Sequence, residues 1–250
     1  MSVFDANLIL GRLGWRPIGV ESAAEMLRAM DRFGIERGLV SHLTACIHEP
    51  DAGNRSLFDA VAGHADRLHP VPVVDLNDGG SWVQLAPRWA EQGTRAVRLA
   101  PAFFRHPVTG PAAESLAGVA REQGWPVVVS LNSVRGVPWV SGSVAHAQGF
   151  AQSFPDLRVL ALGGNRSQWH EVRAALSLCP NLYLDLSGFE TGLALEQLAA
   201  EGYTRRLMHG SNHGMSYANV CLERVRCSGL DDSQKQAVLW DNALRFLGEG

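Results

Sequence analysis

With 250 residues, 46% of them apolar, and a dispersed net charge of −3, the chain suits one large α/β domain with a sizeable core. No apolar run is long enough to span a membrane, no basic stretch precedes an apolar core at the N-terminus, and no Lys/Arg cluster is placed to track phosphates. Membrane and nucleic-acid partners are therefore not expected, and the cytoplasm is the expected compartment. The four cysteines, Cys46, Cys179, Cys221 and Cys227, are scattered without a C-x-x-C pair and read as reduced, mostly buried thiols.

The first stretch, Val3-Phe4-Asp5-Ala6-Asn7-Leu8-Ile9-Leu10-Gly11, reads as a buried strand ending on a glycine turn, with Asn7 and Ile9 on one face. A helix over 21–33 follows, with Ala24, Leu27, Met30 and Phe33 as its apolar stripe and Gly34 as its stop. A second strand over 37–41 runs into His42. A loop carrying Glu49-Pro50-Asp51, a helix over 54–62 and a third strand over 69–76 come next, with Asp75 and Asn77 near the strand's end. A helix over 82–91 leads to the fourth strand, 96–99, which contains Arg98, and then to a proline-bounded loop over 101–111 of binding-loop length.

The second half repeats the rhythm. A helix over 113–123 precedes a strand over 126–131, apolar until Ser130, with Asn132 just beyond it. A Gly/Ser-rich loop over 133–143, a helix up to Phe154, and a strand over 157–162 ending at Gly163-Gly164-Asn165 follow. Then come a helix over 167–178, a strand over 182–187, a helix over 190–202, and a strand over 206–210 running into Ser211-Asn212-His213. Helices over 217–227 and 233–247 close the chain. Eight strand–helix units without a linker predict a single-domain (β/α)8 barrel over 1–250. A doubly wound open sheet is the alternative, but it often carries a glycine-rich phosphate turn after strand one, and none is present.

Phe4-Asp5-Ala6-Asn7-Leu8-Ile9-Leu10-Gly11, Gly34-Ile35-Glu36-Arg37-Gly38-Leu39-Val40, Val97-Arg98-Leu99, Gly124-Trp125-Pro126-Val127-Val128-Val129, Leu160-Ala161-Leu162-Gly163-Gly164, Leu184-Asp185-Leu186-Ser187-Gly188, His209-Gly210-Ser211-Asn212 and Trp240-Asp241-Asn242-Ala243 occur in order. Together they resemble the amidohydrolase-related family of metal-dependent (β/α)8 barrels over nearly the whole chain. The resemblance implies His-x-His on strand one, a histidine closing strand five, a histidine before the double glycine after strand six, and an aspartate on strand eight. Asn7, Ile9, Ser130, Leu162 and Asn212 stand there instead. Zinc and similar ions need imidazole, thiolate or carboxylate ligands, so no metal site and no cofactor is expected.

Arg98 lies in an otherwise apolar strand. It reads either as an ion pair with Asp75 or Asp185 that locks the barrel, or as a clamp for a substrate carboxylate or phosphate. His42, His209 and His213 are candidate acids and bases, since histidine titrates near neutrality. Asn7, Asp75, Ser130, Asn132 and Asn212 are candidate substrate-binding groups, with Trp139, Phe103 and Phe104 as pocket walls. His106, His146 and His170 read as surface residues. Three functions fit: a metal-independent hydrolase, lactonase or lyase acting on a small acid; a non-catalytic binding protein on the same scaffold; and a metal-dependent hydrolase with relocated ligands. A small-molecule partner is expected, and association through the outer helices into a homo-oligomer is compatible with the barrel.

Overall fold

The computed structural model describes residues 1–15, 18–131, 142–189 and 193–249. The first strand, β1 (Phe4–Arg12), is followed by a two-residue strand, β2 (Gly19–Val20), that folds back antiparallel on its end, with Gly11 opposite Val20. That hairpin is not visible in the hydrophobic pattern, because two residues are too few to show alternation. Every other pairing among the described strands is parallel. β3 (Arg37–His42) lies between β1 and β4 (Leu68–Pro70). β5 (Val73–Val74) starts the second run, through β6 (Val97–Leu99), β7 (Val127–Ser130), β8 (Val159–Leu162), β9 (Leu182–Asp185) and β10 (Leu207–Met208).

The two runs are one closed wall. β4 and β5 are successive parts of a single stave, which pairs with β3 through its first half and with β6 through its second. At the other seam, the Ala6 N–H donates to His209 O at 2.9 Å and the Ile9 N–H to His213 O at 2.9 Å. The result is a barrel of eight staves: β1, β3, β4/β5, β6, β7, β8, β9 and β10.

Helices cover this wall. They are α1 (Ala23–Phe33), α2 (Leu43–Ile47), α3 (Pro50–Val61), α4 (Ser81–Glu91), a single turn α5 (Pro101–Phe104), α6 (Pro111–Gln123), α7 (Val144–Ser153), α8 (Trp169–Leu178), α9 (Ala194–Ala200) and α10 (Ala218–Arg226). α5 lies inside the stretch expected to be loop. It starts on Pro101, whose missing N–H costs nothing at a first helical position. α1 is bounded as its sequence dictates: Ser22 caps it by accepting from the Glu25 N–H, and Gly34 ends it at φ 71°. The closing segment is α11 (Asp232–Gln236), a π-helical turn (Ala237–Asp241) and α12 (Asn242–Leu247). Among the described residues no helix is long and apolar enough to cross a membrane.

The core has three parts. Val40, Val97, Val127, Val129 and Leu184 face the helix layer. Alternate positions, Leu39, Ala96, Val128, Leu160, Tyr183 and Met208, fill the barrel's lower lumen, which Trp240 and Phe246 plug from below. Tyr183 meets Phe246 edge-on at 5.3 Å, and Phe4 meets Trp240 at 6.2 Å. The upper part gathers Ile9, Leu43, Cys46, Val73, Ala100 and Met215, with Phe103 and Phe104 packed on it.

The register slips once. Asp5 pairs with Gly38 and Leu8 with Val40, so three steps on β1 span two on β3, a β-bulge. Asp5 stabilises it: its Oδ1 accepts from the Asn7 N–H at 2.9 Å and from the Ser211 N–H at 3.0 Å. One buried carboxylate thus ties the bulge to the last stave.

The split stave has its own support. Buried Asn54 on α3 accepts from the Val73 N–H at 2.9 Å and donates to Val73 O at 2.8 Å, acting as a short surrogate strand. Asn54→Ala leaves both backbone groups buried without a partner and is expected to cost about 2–4 kcal/mol, read by urea denaturation.

Candidate active site

Alternation sets which side chains reach the lumen at the carboxyl ends of the staves. Leu39 faces in, so Ser41 does; likewise Ala96 and Arg98, Val128 and Ser130, Tyr183 and Asp185, then Ser187, and Met208 and Gly210. Catalytic sites of (β/α)8 barrels form at this end.

Arg98 is buried, with 4% of its surface exposed. Its Nε donates to Ser130 Oγ at 2.8 Å. Among the described residues it has no carboxylate partner. Neither ion pair open to it in the sequence forms. Asp75 is turned into its own loop, where it accepts from the Asn77 N–H at 2.9 Å and lies near His106. Asp185 is occupied elsewhere. The guanidinium stands near Cys46, whose thiol is pushed up by burial and partly drawn back down by the Arg98 charge.

Asp185 and Ser187 form the second part of the wall. Asp185 Oδ1 accepts from the Ser187 N–H at 3.0 Å, and Oδ2 accepts from the Gly163 N–H at 3.0 Å and from Ser187 Oγ. Asn7 Nδ2 reaches Ser187 Oγ at 3.3 Å from the first stave. Gly210 makes this approach possible. A methyl there would lie 2.1 Å from Asp185 Oδ1 and 3.1 Å from Asn7 Cβ. Burial raises the Asp185 carboxyl to about 6; the hydrogen bonds from Ser187 and Gly163 oppose the rise and nearby Asp5 adds to it.

The histidines lie elsewhere. His209 follows outward-facing Leu207 and is wholly buried, with Nε2 3.7 Å from Asp5 Oδ2. Burial lowers its pKa, and the Asp5 charge opposes this. An enclosed imidazole against a structural carboxylate does not meet a substrate. His213 lines an outer groove with Arg28, Arg32 and Tyr217, and its Nδ1 lies 3.3 Å from Ser216 O. His42 caps α2: its Nδ1 accepts from the Thr44 N–H at 3.2 Å, and burial holds its pKa below the usual value. The structure does not bring these three candidate acids and bases together. Asn212 is half-buried at φ 54°, its carbonyl accepting from the Met215 and Ser216 N–H groups. His106 is not the surface residue expected, being buried with 2% exposure, whereas His170 is exposed. Asn132, Trp139 and most of the 133–143 loop lie outside the described residues.

Among the described residues no three His, Cys, Asp or Glu side chains gather to hold a metal ion. The five positions where the resemblance implies ligands explain why. Ile9 and Leu162 are packed in hydrocarbon, Ser130 holds Arg98, Asn7 holds Ser187, and Asn212 is an amide in a turn. Sequence reasoning missed Ser187. The available signal was Asp185-Leu186-Ser187: two polar residues two apart where a stave meets the lumen.

The family described as Amidohydrolase matches residues 22–248. No curated protein matches the chain by sequence. Among solved structures, an uncharacterized TIM-barrel protein from Bordetella bronchiseptica superposes with a TM-score of 0.76 at 18% identity, covering 100% of this chain and 99% of that one. A probable 2-pyrone-4,6-dicarboxylic acid hydrolase from Acinetobacter baumannii, with citric acid bound, gives 0.74 at 13% identity, covering 99% and 100%. A 2,6-dihydroxybenzoate decarboxylase from Rhizobium gives 0.74 at 14%, covering 99% and 98%. At these identities the likeness shows the shared barrel.

The Asp185 shift predicts a pH signature. Its folded pKa of about 6 exceeds its ordinary 3.8, so the fold binds the proton more tightly than the unfolded chain does. The stability this contributes is present below 3.8 and lost as pH rises through about 6. Relative to Asp185→Asn, wild type is expected to lose on the order of 3 kcal/mol across that window, read by urea denaturation at stepped pH. A difference that stays flat contradicts the shift.

Proposed function

The chain belongs to the amidohydrolase family, and on that premise we propose that it is a metal-independent hydrolase, lactonase or lyase acting on a small carboxylate-bearing molecule. One observation carries the reading: a buried arginine at the barrel's catalytic end, held by a serine hydroxyl and, among the described residues, lacking a carboxylate partner. A guanidinium out of water is costly unless acceptors or an anion meet its N–H groups. Its planar fork matches a carboxylate in two parallel hydrogen bonds. Two of the structural neighbours bear names that denote carboxylic acids, a pyrone dicarboxylic acid and a dihydroxybenzoate.

The family's metal does not fit the residues present. The five implied ligand positions hold two amides, an alcohol and two hydrocarbons, and no step is routed through a cation there. Arg98 would anchor the substrate's acid, and Asn7 and Ser130 would add hydrogen bonds. Asp185 takes the proton-handling role first assigned to the histidines, because it alone among the described carboxylates is both on the lumen wall and tuned toward neutrality. Non-catalytic binding in the same pocket is the second reading. It is favoured by the complete enclosure of Asp185, whose oxygens are all engaged by Ser187 and Gly163.

A thermal-shift screen of small carboxylic acids tests the anchor. A ligand at a hundred times its Kd stabilises the fold by about 2.7 kcal/mol, which is roughly 5–10 °C for a chain of this size. Wild type is expected to shift and Arg98→Ala not to. If no acid moves the wild type, or if both proteins move equally, Arg98 is no clamp.

A further inference from the structure

The enclosure of Asp185 limits what its carboxylate can do. It has no exposed surface, so no substrate touches it. A proton can enter or leave only through the groups that hydrogen-bond to it. Two of these are the backbone N–H groups of Gly163 and Ser187, which do not ionise near neutrality. The third is the Ser187 hydroxyl, donating to Oδ2. Ser187 is 4% exposed and follows the seventh stave at the end where such barrels do their chemistry. Its Oγ donates to a carboxylate and accepts from Asn7 Nδ2, which fixes its rotamer and leaves one lone pair uncommitted. Asn7 is itself 4% exposed, and its Oδ1 is buried with no hydrogen-bond partner among the described residues.

We propose that Ser187 is a nucleophile and Asp185 its base, forming a two-residue acyl-transfer centre across the lumen from Arg98. The inference rests on the reading of Arg98 as the carboxylate anchor and names the bond chemistry of that site: an ester or lactone whose acid half bears a second, free carboxylate. Ser187 Oγ attacks the acyl carbon, and its proton passes to Asp185 Oδ2. The C–O bond to the leaving alkoxide breaks, and that alkoxide takes a proton from a water molecule, leaving hydroxide, while the Ser187 proton stays on enclosed Asp185. Acyl-Ser187 and an alcohol result. The hydroxide then adds to the acyl carbon. The Ser187–acyl bond breaks, and Oγ recovers the proton as the carboxylic acid leaves. Water is the one co-reactant, and no electrons are exchanged. A carboxylate raised toward neutrality is a better base for this step than an ordinary one and is still ionised at pH 7.

The probe is para-nitrophenyl hydrogen succinate, which carries an activated ester and a free carboxylate. The expected result is a burst of nitrophenolate equal to the protein present, with a succinyl group mapped to Ser187 by peptide mass spectrometry. Ser187→Ala loses burst and adduct, whereas Ser187→Cys, which keeps a nucleophile, retains acylation. Asp185→Asn slows acylation by about a hundredfold or more and flattens its rise with pH, at an unchanged far-ultraviolet spectrum. Free succinate raises the melting temperature of wild type but not of Arg98→Ala. If succinate binds through Arg98 yet Ser187 is never acylated, or Ser187→Ala turns the ester over normally, the centre is wrong while the anchor stands. If succinate does not bind through Arg98, both readings fall.

Discussion

A guanidinium carries five N–H donors in a fixed plane, and taking it out of water leaves each in need of an acceptor. Arg98 has one such acceptor among the described residues, Ser130 Oγ, and it sits where alternation along β6 points it into the lumen. This pair constrains the rest of the site. Ser130 stands where the family resemblance implies a metal-binding histidine, and its hydroxyl is the group that holds the arginine. A divalent cation beside the guanidinium would face like-charge repulsion in a poorly screened interior. A carboxylate brought by a ligand would instead find matched geometry and opposite charge.

The barrel's seams hold this end in shape. Asp5 joins the first and eighth staves through two backbone N–H groups and lies beside enclosed His209. Asp185 does the same between the sixth and seventh, reaching Gly163 at the end of one and Ser187 past the end of the other. Both are buried carboxylates that accept from backbone N–H groups, Asp5 through Oδ1 alone, and Gly210 lets Asn7 close over Asp185 because it has no side chain to interpose. Rigid support of this kind is what a site needs if its geometry is to be pre-set rather than formed on binding.

Much of the architecture was legible in the sequence, because β-branched runs alternating with helical stripes leave few folds open. The eight staves lie close to where alternation places them, and the helix stop at Gly34 is the one its missing side chain suggests. What was not legible depends on backbone register. The bulge between Asp5 and Leu8 changes which β1 side chains meet the lumen, and no propensity reports a bulge. The histidines misled for a related reason. His209 is one residue past inward-facing Met208, and one residue in a strand reverses the face. Ser187 escaped notice because a serine near a strand end is usually a small polar lining group. Its meaning appears only once Asp185 and Asn7 are seen against it.

The most direct measurement is a high-resolution crystal structure of the protein grown with a small monocarboxylate. The expected density is a carboxylate lying in the plane of the Arg98 guanidinium, within the lumen and in reach of Asn7. An aspartate or glutamate of the chain itself paired with Arg98, or a coordinated metal ion among the staves, would contradict an anion-holding, metal-independent site.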